Sequence, residues 1–129
     1  MIKKIRTMKE APIMPQDKTV FDRDEFFDIM MGDVESGRIL LDEFLQQTSD
    51  HLELLGEDIE AGDVENTKKT AHLIKGSSLN VTATRLAEAA LALEKGADAM
   101  TADALKAAFA AVKTEFAALA EAIARERNA

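Results

Sequence analysis

The sequence contains no cysteine, no tryptophan and no tyrosine, and only two prolines and six glycines among its 129 residues. Without cysteine, the chain has no disulfide framework and no thiolate for nucleophilic or redox chemistry. Because proline and glycine are scarce and alanine is abundant, the composition favours helix over sheet. A chain of this length forms one domain and can bury a hydrophobic core without covalent cross-links.

Long apolar runs are also missing from the sequence. No stretch approaches the roughly 18 consecutive apolar residues of a transmembrane helix. The first six residues, MIKKIR, are charged, but no apolar segment follows them as it would in a signal peptide. We therefore expect a cytoplasmic protein that does not associate with membranes.

Acidic residues outnumber basic residues, so the formal net charge is −8. Residues 1–18 contain five basic and two acidic residues, so the remainder of the chain carries a charge of −11. Such an acidic body argues against nucleic acid as a partner, since phosphates are bound by lysine and arginine. Pro12 and Pro15 and the absence of hydrophobic periodicity predict that residues 1–18 form a flexible basic leader. Residues 19–129 are the predicted folded domain.

Hydrophobic periodicity predicts five helices joined by short connections. Asp22 is followed three residues later by Glu25, which is a helix-capping pattern, so a short first helix is expected to begin there and to stop at Gly32. The later helices are predicted over residues 34–61, 64–80 and 83–97 and from Thr101 towards the C-terminus. No segment has the pattern of a strand.

The predicted long helices carry apolar stripes whose spacing alternates between three and four residues, as in helices that face a bundle core. The stripe of the second helix is Leu41, Leu45, Thr48, Leu52, Leu55 and Ile59. The third helix has a thinner seam of Val64, Thr67, Ala71, Ile74, Ser78 and Val81. The last helix has Leu105, Phe109, Val112, Phe116, Leu119 and Ile123. We therefore predict an all-α fold, an antiparallel four-helix bundle with a short additional N-terminal helix.

Residues 71–78, AHLIKGSS, carry the most specific chemical information in the chain. His72, Lys75 and Gly76 share one face of a helix, and His72 lies about 100° from the seam, at the flank of the core. A neutral imidazole is a nucleophile that can accept a phosphoryl group. Lys75 would attract the phosphoryl oxygens. Gly76 costs a helix about 1 kcal/mol relative to alanine, which suggests that a large partner must approach His72.

The sequence has no machinery of its own for supplying phosphate. It contains no P-loop, no glycine-rich loop and no kinase signature, so we predict a phosphocarrier rather than an enzyme that uses ATP. The phosphoryl group would come from another protein. No carboxylate cluster favours Mg²⁺, so no metal or other cofactor is expected, and any Mg²⁺ would lie in the partner.

This segment resembles the signature of histidine phosphotransfer (HPt) domains, the small helical carriers of multistep two-component phosphorelays. The matching residues are Ala71, His72, Ile74, Lys75, Gly76, Ser77, Ser78, Ala83, Leu86, Leu93 and Glu94. The likeness covers about residues 19–125. One departure is Thr82, which stands where the family usually has glycine. Threonine tolerates a positive φ angle poorly, so either the junction differs here or the glycine is dispensable.

The resemblance implies a function for the whole domain. His72 would accept a phosphoryl group from an aspartate of one receiver domain and pass it to another, so the implied partners are response-regulator receiver domains and a hybrid sensor histidine kinase. We expect the chain to act as a monomer.

The resemblance also implies supporting residues. Some family members have, at the position of Glu94, a glutamine that hydrogen-bonds to the histidine. Glu94 would either hold one tautomer of His72 or repel the phosphoryl group. Ser77 is a second candidate for a supporting role. Its hydroxyl could also bond to a carbonyl of its own helix, but small residues such as Ser77 more often allow close packing between helices.

Two other functions are compatible with a helical bundle. A helical adaptor could dock a receiver or kinase domain without carrying phosphate, but such a protein would be expected to lose His72. A carboxylate-bridged metal enzyme uses glutamate three residues before histidine. Lys69 precedes His72 at that spacing and Thr48 precedes His51, so the sequence argues against the metal enzyme.

Overall fold

The computed structural model describes residues 19–128, so the predicted basic leader lies outside the described residues. The described part of the chain contains helices and no strand. The helices are α1 (Arg23–Ile29), α2 (Val34–Glu60), α3 (Val64–Asn80), α4 (Thr84–Gly96) and α5 (Ala102–Arg127). Helix α3 packs on α2 and α4, and α5 closes the bundle against α4 and α2, while α1 packs on α2. The predicted all-α bundle with a short N-terminal helix is therefore confirmed.

Short polar side chains begin α1, α2, α3 and α5, whereas α4 has Ala83 at its N-cap and no side-chain cap. The carboxylates of Asp22, Asp33 and Asp63 each accept a hydrogen bond from the backbone N–H three residues later, and so does the hydroxyl of Thr101. A cap of this kind stabilises a helix by about 1 kcal/mol. Gly32 and Gly62 follow α1 and α2 with φ angles of 79° and 71°, a conformation that favours glycine.

The core lies between the four long helices and is built from the predicted stripes. Its largest fully buried apolar side chains are Phe26, Leu41, Leu55, Ile74, Leu86, Leu93, Leu119, Ile123 and Val112. The prediction for Val64 was wrong, because this residue is 36% exposed as the first residue of α3. Phe44 of α2, which the stripe omitted, is buried beside it. Leu45 and Ile59 pack against the core from partly buried positions.

The connection between α3 and α4 keeps a left-handed backbone conformation without glycine. Thr82 has a φ angle of 62° and is 5% exposed. Of the two alternatives for this departure from the family pattern, the structure therefore shows that glycine is dispensable. No helix within residues 19–128 is both long enough and apolar enough to span a membrane.

Candidate functional site

His72 projects from the outer side of α3, where 59% of its side chain is exposed. Its neighbours Ala71 and Ile74 are completely buried. Because successive residues of a helix are rotated by about 100°, the side chain of His72 points in a different direction from those of Ala71 and Ile74. The structure therefore places the imidazole at the flank of the core, as the seam predicted.

Glu94 of α4 lies beside the ring of His72. The Glu94 Oε2 atom is 2.9 Å from His72 Nδ1, and 23% of the glutamate side chain is exposed. An ionised carboxylate can only accept hydrogen bonds, so Nδ1 must carry the proton that this contact requires. In the neutral ring the free lone pair then belongs to Nε2.

Lys75 reaches the same carboxylate from the next turn of α3. Its Nζ atom is 3.7 Å from Glu94 Oε1, and a quarter of its side chain is exposed. This separation gives an ion pair but is too long for a hydrogen bond. Glu94 Oε1 is buried and has no hydrogen-bond partner. The ammonium group of Lys75 is therefore close to His72 without being tied by a hydrogen bond to Glu94.

Gly76 leaves open space one turn after His72. A Cβ atom built on Gly76 would meet no other atom within 4 Å. The space is therefore outside the fold and not filled by a neighbouring side chain. A role for Gly76 in admitting a partner stays a prediction.

Ser77, the other candidate for a supporting role, turns its hydroxyl into α3. It donates a hydrogen bond to the carbonyl oxygen of Leu73 at 3.0 Å or to that of Ile74 at 3.3 Å. In the described contacts this hydroxyl bonds within its own helix and does not join Glu94 at the imidazole. A supporting role for Ser77 stays a prediction.

Two lysines that were not among the predicted site residues also lie next to His72. Lys68 and Lys69 line a shallow depression together with His72, Leu73 and Glu94. Lys68 forms an ion pair with Asp98 at 2.7 Å. Both lysines precede His72 by one helical turn. Their spacing would therefore have predicted that they lie near His72.

Three large apolar side chains of α3 and α1 are exposed at the surface of the bundle. Leu73 and Leu79 of α3 are 55% and 53% exposed, and Ile29 of α1 is 58% exposed. A groove begins beside Ser77, and we call it the α1–α2–α3 groove. It is lined by Ile29, Leu40, Glu43, Phe44, Gln47, Ser77, Asn80 and Val81. The groove therefore runs from the end of α1 to the C-terminal end of α3.

No metal-binding cluster is found in residues 19–128, where no three His, Cys, Asp or Glu side chains converge. The two histidines lie on different helices, His51 on α2 and His72 on α3. The described residues thus offer no ligand set for the carboxylate-bridged metal enzyme that was weighed as an alternative.

Comparison with known proteins gives a consistent result. A family model described as "Hpt domain" matches residues 39–127. The chain is similar to the crystal structure of histidine-containing phosphotransfer protein B (HptB) from Pseudomonas aeruginosa PAO1, with 27% sequence identity and a TM-score of 0.77. The match covers 84% of this chain and 95% of that chain. No curated protein sequence matches.

Proposed function

The chain belongs to the Hpt domain family, and on that premise we propose that His72 is the residue that carries the phosphoryl group. Membership gives the chain a histidine phosphotransfer function in phosphorelays, as the resemblance predicted. The observation that carries the assignment is one shared site: an exposed imidazole held by Glu94, with Lys75 beside it and open space over Gly76.

In the proposed reaction, Nε2 of His72 attacks the phosphorus of a receiver-domain aspartyl phosphate. The N–P bond forms, the O–P bond to the aspartate breaks, and the receiver keeps its carboxylate. The ring then carries both the Nδ1 proton and the phosphoryl group, so the imidazole becomes positively charged. Glu94, 2.9 Å from Nδ1, stabilises that charge. Passing the group to a second receiver reverses these steps.

Lys75 would act on the group being transferred. Phosphoryl transfer depends on positioning and on neutralisation of charge rather than on covalent help from the protein. Because its ion pair with Glu94 is loose, the ammonium group can move to the phosphoryl oxygens with little to break. Glu94 then keeps its contact with the Nδ1 proton of the positively charged ring.

Hpt family proteins interact with receiver domains and kinases, and Hpt domains are phosphocarriers rather than kinases. For this chain we propose two receiver domains as donor and acceptor, with a hybrid sensor histidine kinase upstream. The proposed carrier acts as a monomer in the cytoplasm, has no ATP site or cofactor of its own and uses Mg²⁺ only in its partner. Leu73 and Leu79, exposed on either side of the imidazole, would contact the receiver.

Incubation with a phosphorylated receiver domain tests the assignment. We expect an acid-labile label on the wild-type chain, no label on His72→Gln, and full labelling of the matched control His51→Gln, because His51 lies on α2 away from the site. A labelled His72→Gln variant would refute the assignment. If no receiver from the same organism labels the wild type, while one of them binds it, the non-phosphorylated adaptor is the better description.

A further inference from the structure

We propose that Thr82 is a positioning residue that fixes α1, and through α1 sets the shape of the α1–α2–α3 groove against which a receiver domain docks. The inference rests on the proposed function, because it names a determinant of partner recognition at the same site. It starts from the one non-glycine residue of the α3–α4 connection that has a positive φ angle.

Thr82 holds a conformation that a β-branched residue rarely adopts. Its φ angle is 62°, and it is almost fully buried. Such a residue persists only when surrounding contacts offset the strain. Glycine would adopt the same backbone without strain, so the contacts of the threonine side chain need an explanation.

Those contacts join Thr82 to the start of α1. The hydroxyl oxygen accepts a hydrogen bond from the Asp22 N–H at 3.2 Å, and its single proton is donated to the carbonyl oxygen of Asp22 at 3.0 Å or to that of Val81 at 2.5 Å. Asp22 is the N-cap of α1, and it is 60 residues away in sequence. These hydrogen bonds use the side-chain oxygen, so glycine at this position would lose them and serine could keep them.

Helix α1 contacts Thr82 at its N-terminal end and lines the groove at its C-terminal end. It has seven residues and is therefore about 10 Å long, so a tilt of about 10° at its base moves its far end by about 2 Å. Ile29, the last residue of α1, lines the groove. Other contacts hold the middle and the base: Phe27 packs at Gly37, and Arg23 pairs with Glu126 at 3.3 Å.

The groove borders the open surface at Gly76, which argues for a receiver domain as its occupant. Ser77, which lines the groove, follows Gly76 directly in α3, and Gly76 lies one turn after His72. A domain that brings its aspartate to His72 must cover this neighbouring surface. Apolar Ile29 and Leu40, with Glu43 and Asn80 among the polar residues of the lining, suit a protein surface rather than a phosphate alone.

The experiment measures phosphoryl transfer from a phosphorylated receiver domain at increasing receiver concentration. For Thr82→Gly we expect the KM to rise about fivefold, equivalent to about 1 kcal/mol, with the maximal rate within about twofold of wild type. The reason is that docking changes while His72, Glu94 and Lys75 do not. Thr82→Ser, which keeps the hydroxyl, is expected to restore the wild-type KM.

Thr101→Ala is the matched control, because it removes a hydrogen-bonded threonine hydroxyl at the other end of α4. Its KM is expected to equal that of wild type. An unchanged KM in Thr82→Gly, or a Thr82→Ser variant that behaves like Thr82→Gly, would show that Thr82 has only a structural role.

Direct titration of the receiver domain separates this inference from the proposed function. If the wild-type chain takes no label, the phosphocarrier proposal fails, but a weaker receiver affinity of Thr82→Gly than of Thr82→Ser still supports the positioning role. Equal affinities of the two variants would overturn it.

Discussion

Two opposite charges, those of Glu94 and Lys75, lie beside His72 and would both act on the phosphoryl group that we propose it carries. Glu94 contacts Nδ1, on the opposite side of the ring from the reacting Nε2. The carboxylate therefore lies closer to the positive charge that would develop on the ring than to the phosphoryl oxygens. Lys75, 3.7 Å from the other carboxylate oxygen, would offset the repulsion between the carboxylate and the phosphoryl oxygens. This arrangement favours the first of the two roles considered for Glu94, retention of one tautomer.

Gly76 gives a prediction in which stability and function change in opposite directions. Gly76→Ala meets no atom of the protein within 4 Å, so the helix should gain about 1 kcal/mol. The added methyl group enters the space that a receiver domain would occupy, and we expect transfer to slow at least about tenfold. Urea unfolding and transfer kinetics measure the two effects.

The control for Gly76→Ala is Ser49→Ala, at an exposed position within α2. It should also raise stability, by less than 1 kcal/mol, and leave the transfer rate unchanged. Wild-type transfer by Gly76→Ala would show that the glycine is not needed for access to His72.

Among the elements, α1 has the fewest residues, and its attachment depends on a small residue in α2. A Cβ atom on Gly37 would lie 2.6 Å from Cε1 of Phe27 and 3.1 Å from Cε2 of Phe26. Both rings are buried, and they contact each other edge to face with centroids 5.1 Å apart. The absence of a side chain at Gly37 therefore allows α1 to pack against the bundle.

Gly37→Ala is predicted to destabilise the fold by about 1–3 kcal/mol, because overpacking in the core outweighs the gain in helix propensity. The measurement is the free energy of unfolding in urea. Gly76→Ala is the matched comparison, since the same substitution in an open position should have the opposite sign. A stabilised Gly37→Ala variant would mean that α1 moves away from α2 at little cost.

Across the whole molecule, one buried carboxylate joins three helices. Glu126 of α5 has a side chain that is only 3% exposed, and it pairs with Arg38 of α2 at 3.1 Å and with Arg23 of α1 at 3.3 Å. The hydrogen bond from Arg38 and the charges of both arginines hold the pKa of Glu126 below its ordinary value of 4.5, although burial opposes the shift. Arg127 and Asp42, 2.6 Å apart, add a second link between α5 and α2.

The lowered pKa of Glu126 predicts a pH dependence of stability. A carboxyl group with a depressed folded-state pKa contributes stability above its unfolded value, near 4.5, and loses it as the pH falls through the folded value. We expect Glu126→Gln to be less stable than wild type by about 1–2 kcal/mol at pH 7. The difference should shrink below pH 4.5. Urea unfolding of both proteins at pH 7 and pH 3 measures it, and an equal difference at both would contradict the prediction.

Features that depend on neighbours within a turn or two were predicted from the sequence. The capping residues Asp22 and Thr101 and the ends of the helices followed from spacing alone. So did the common face of His72, Lys75 and Gly76, because the helical repeat fixes which residues share a face. The resemblance to a known family rested on the same short segment.

Contacts between residues distant in sequence could be identified only from the tertiary structure, because the packing of helices depends on how all their side chains fit together. Spacing could not show that Glu94 touches Nδ1 of His72, or that Thr82 replaces glycine by bonding to Asp22. The predicted stripe also left out Phe44, which follows Leu41 by three residues and is buried in the core. Local periodicity thus placed the imidazole at the surface of α3, and the packing of α4 on α3 supplied the carboxylate that contacts it.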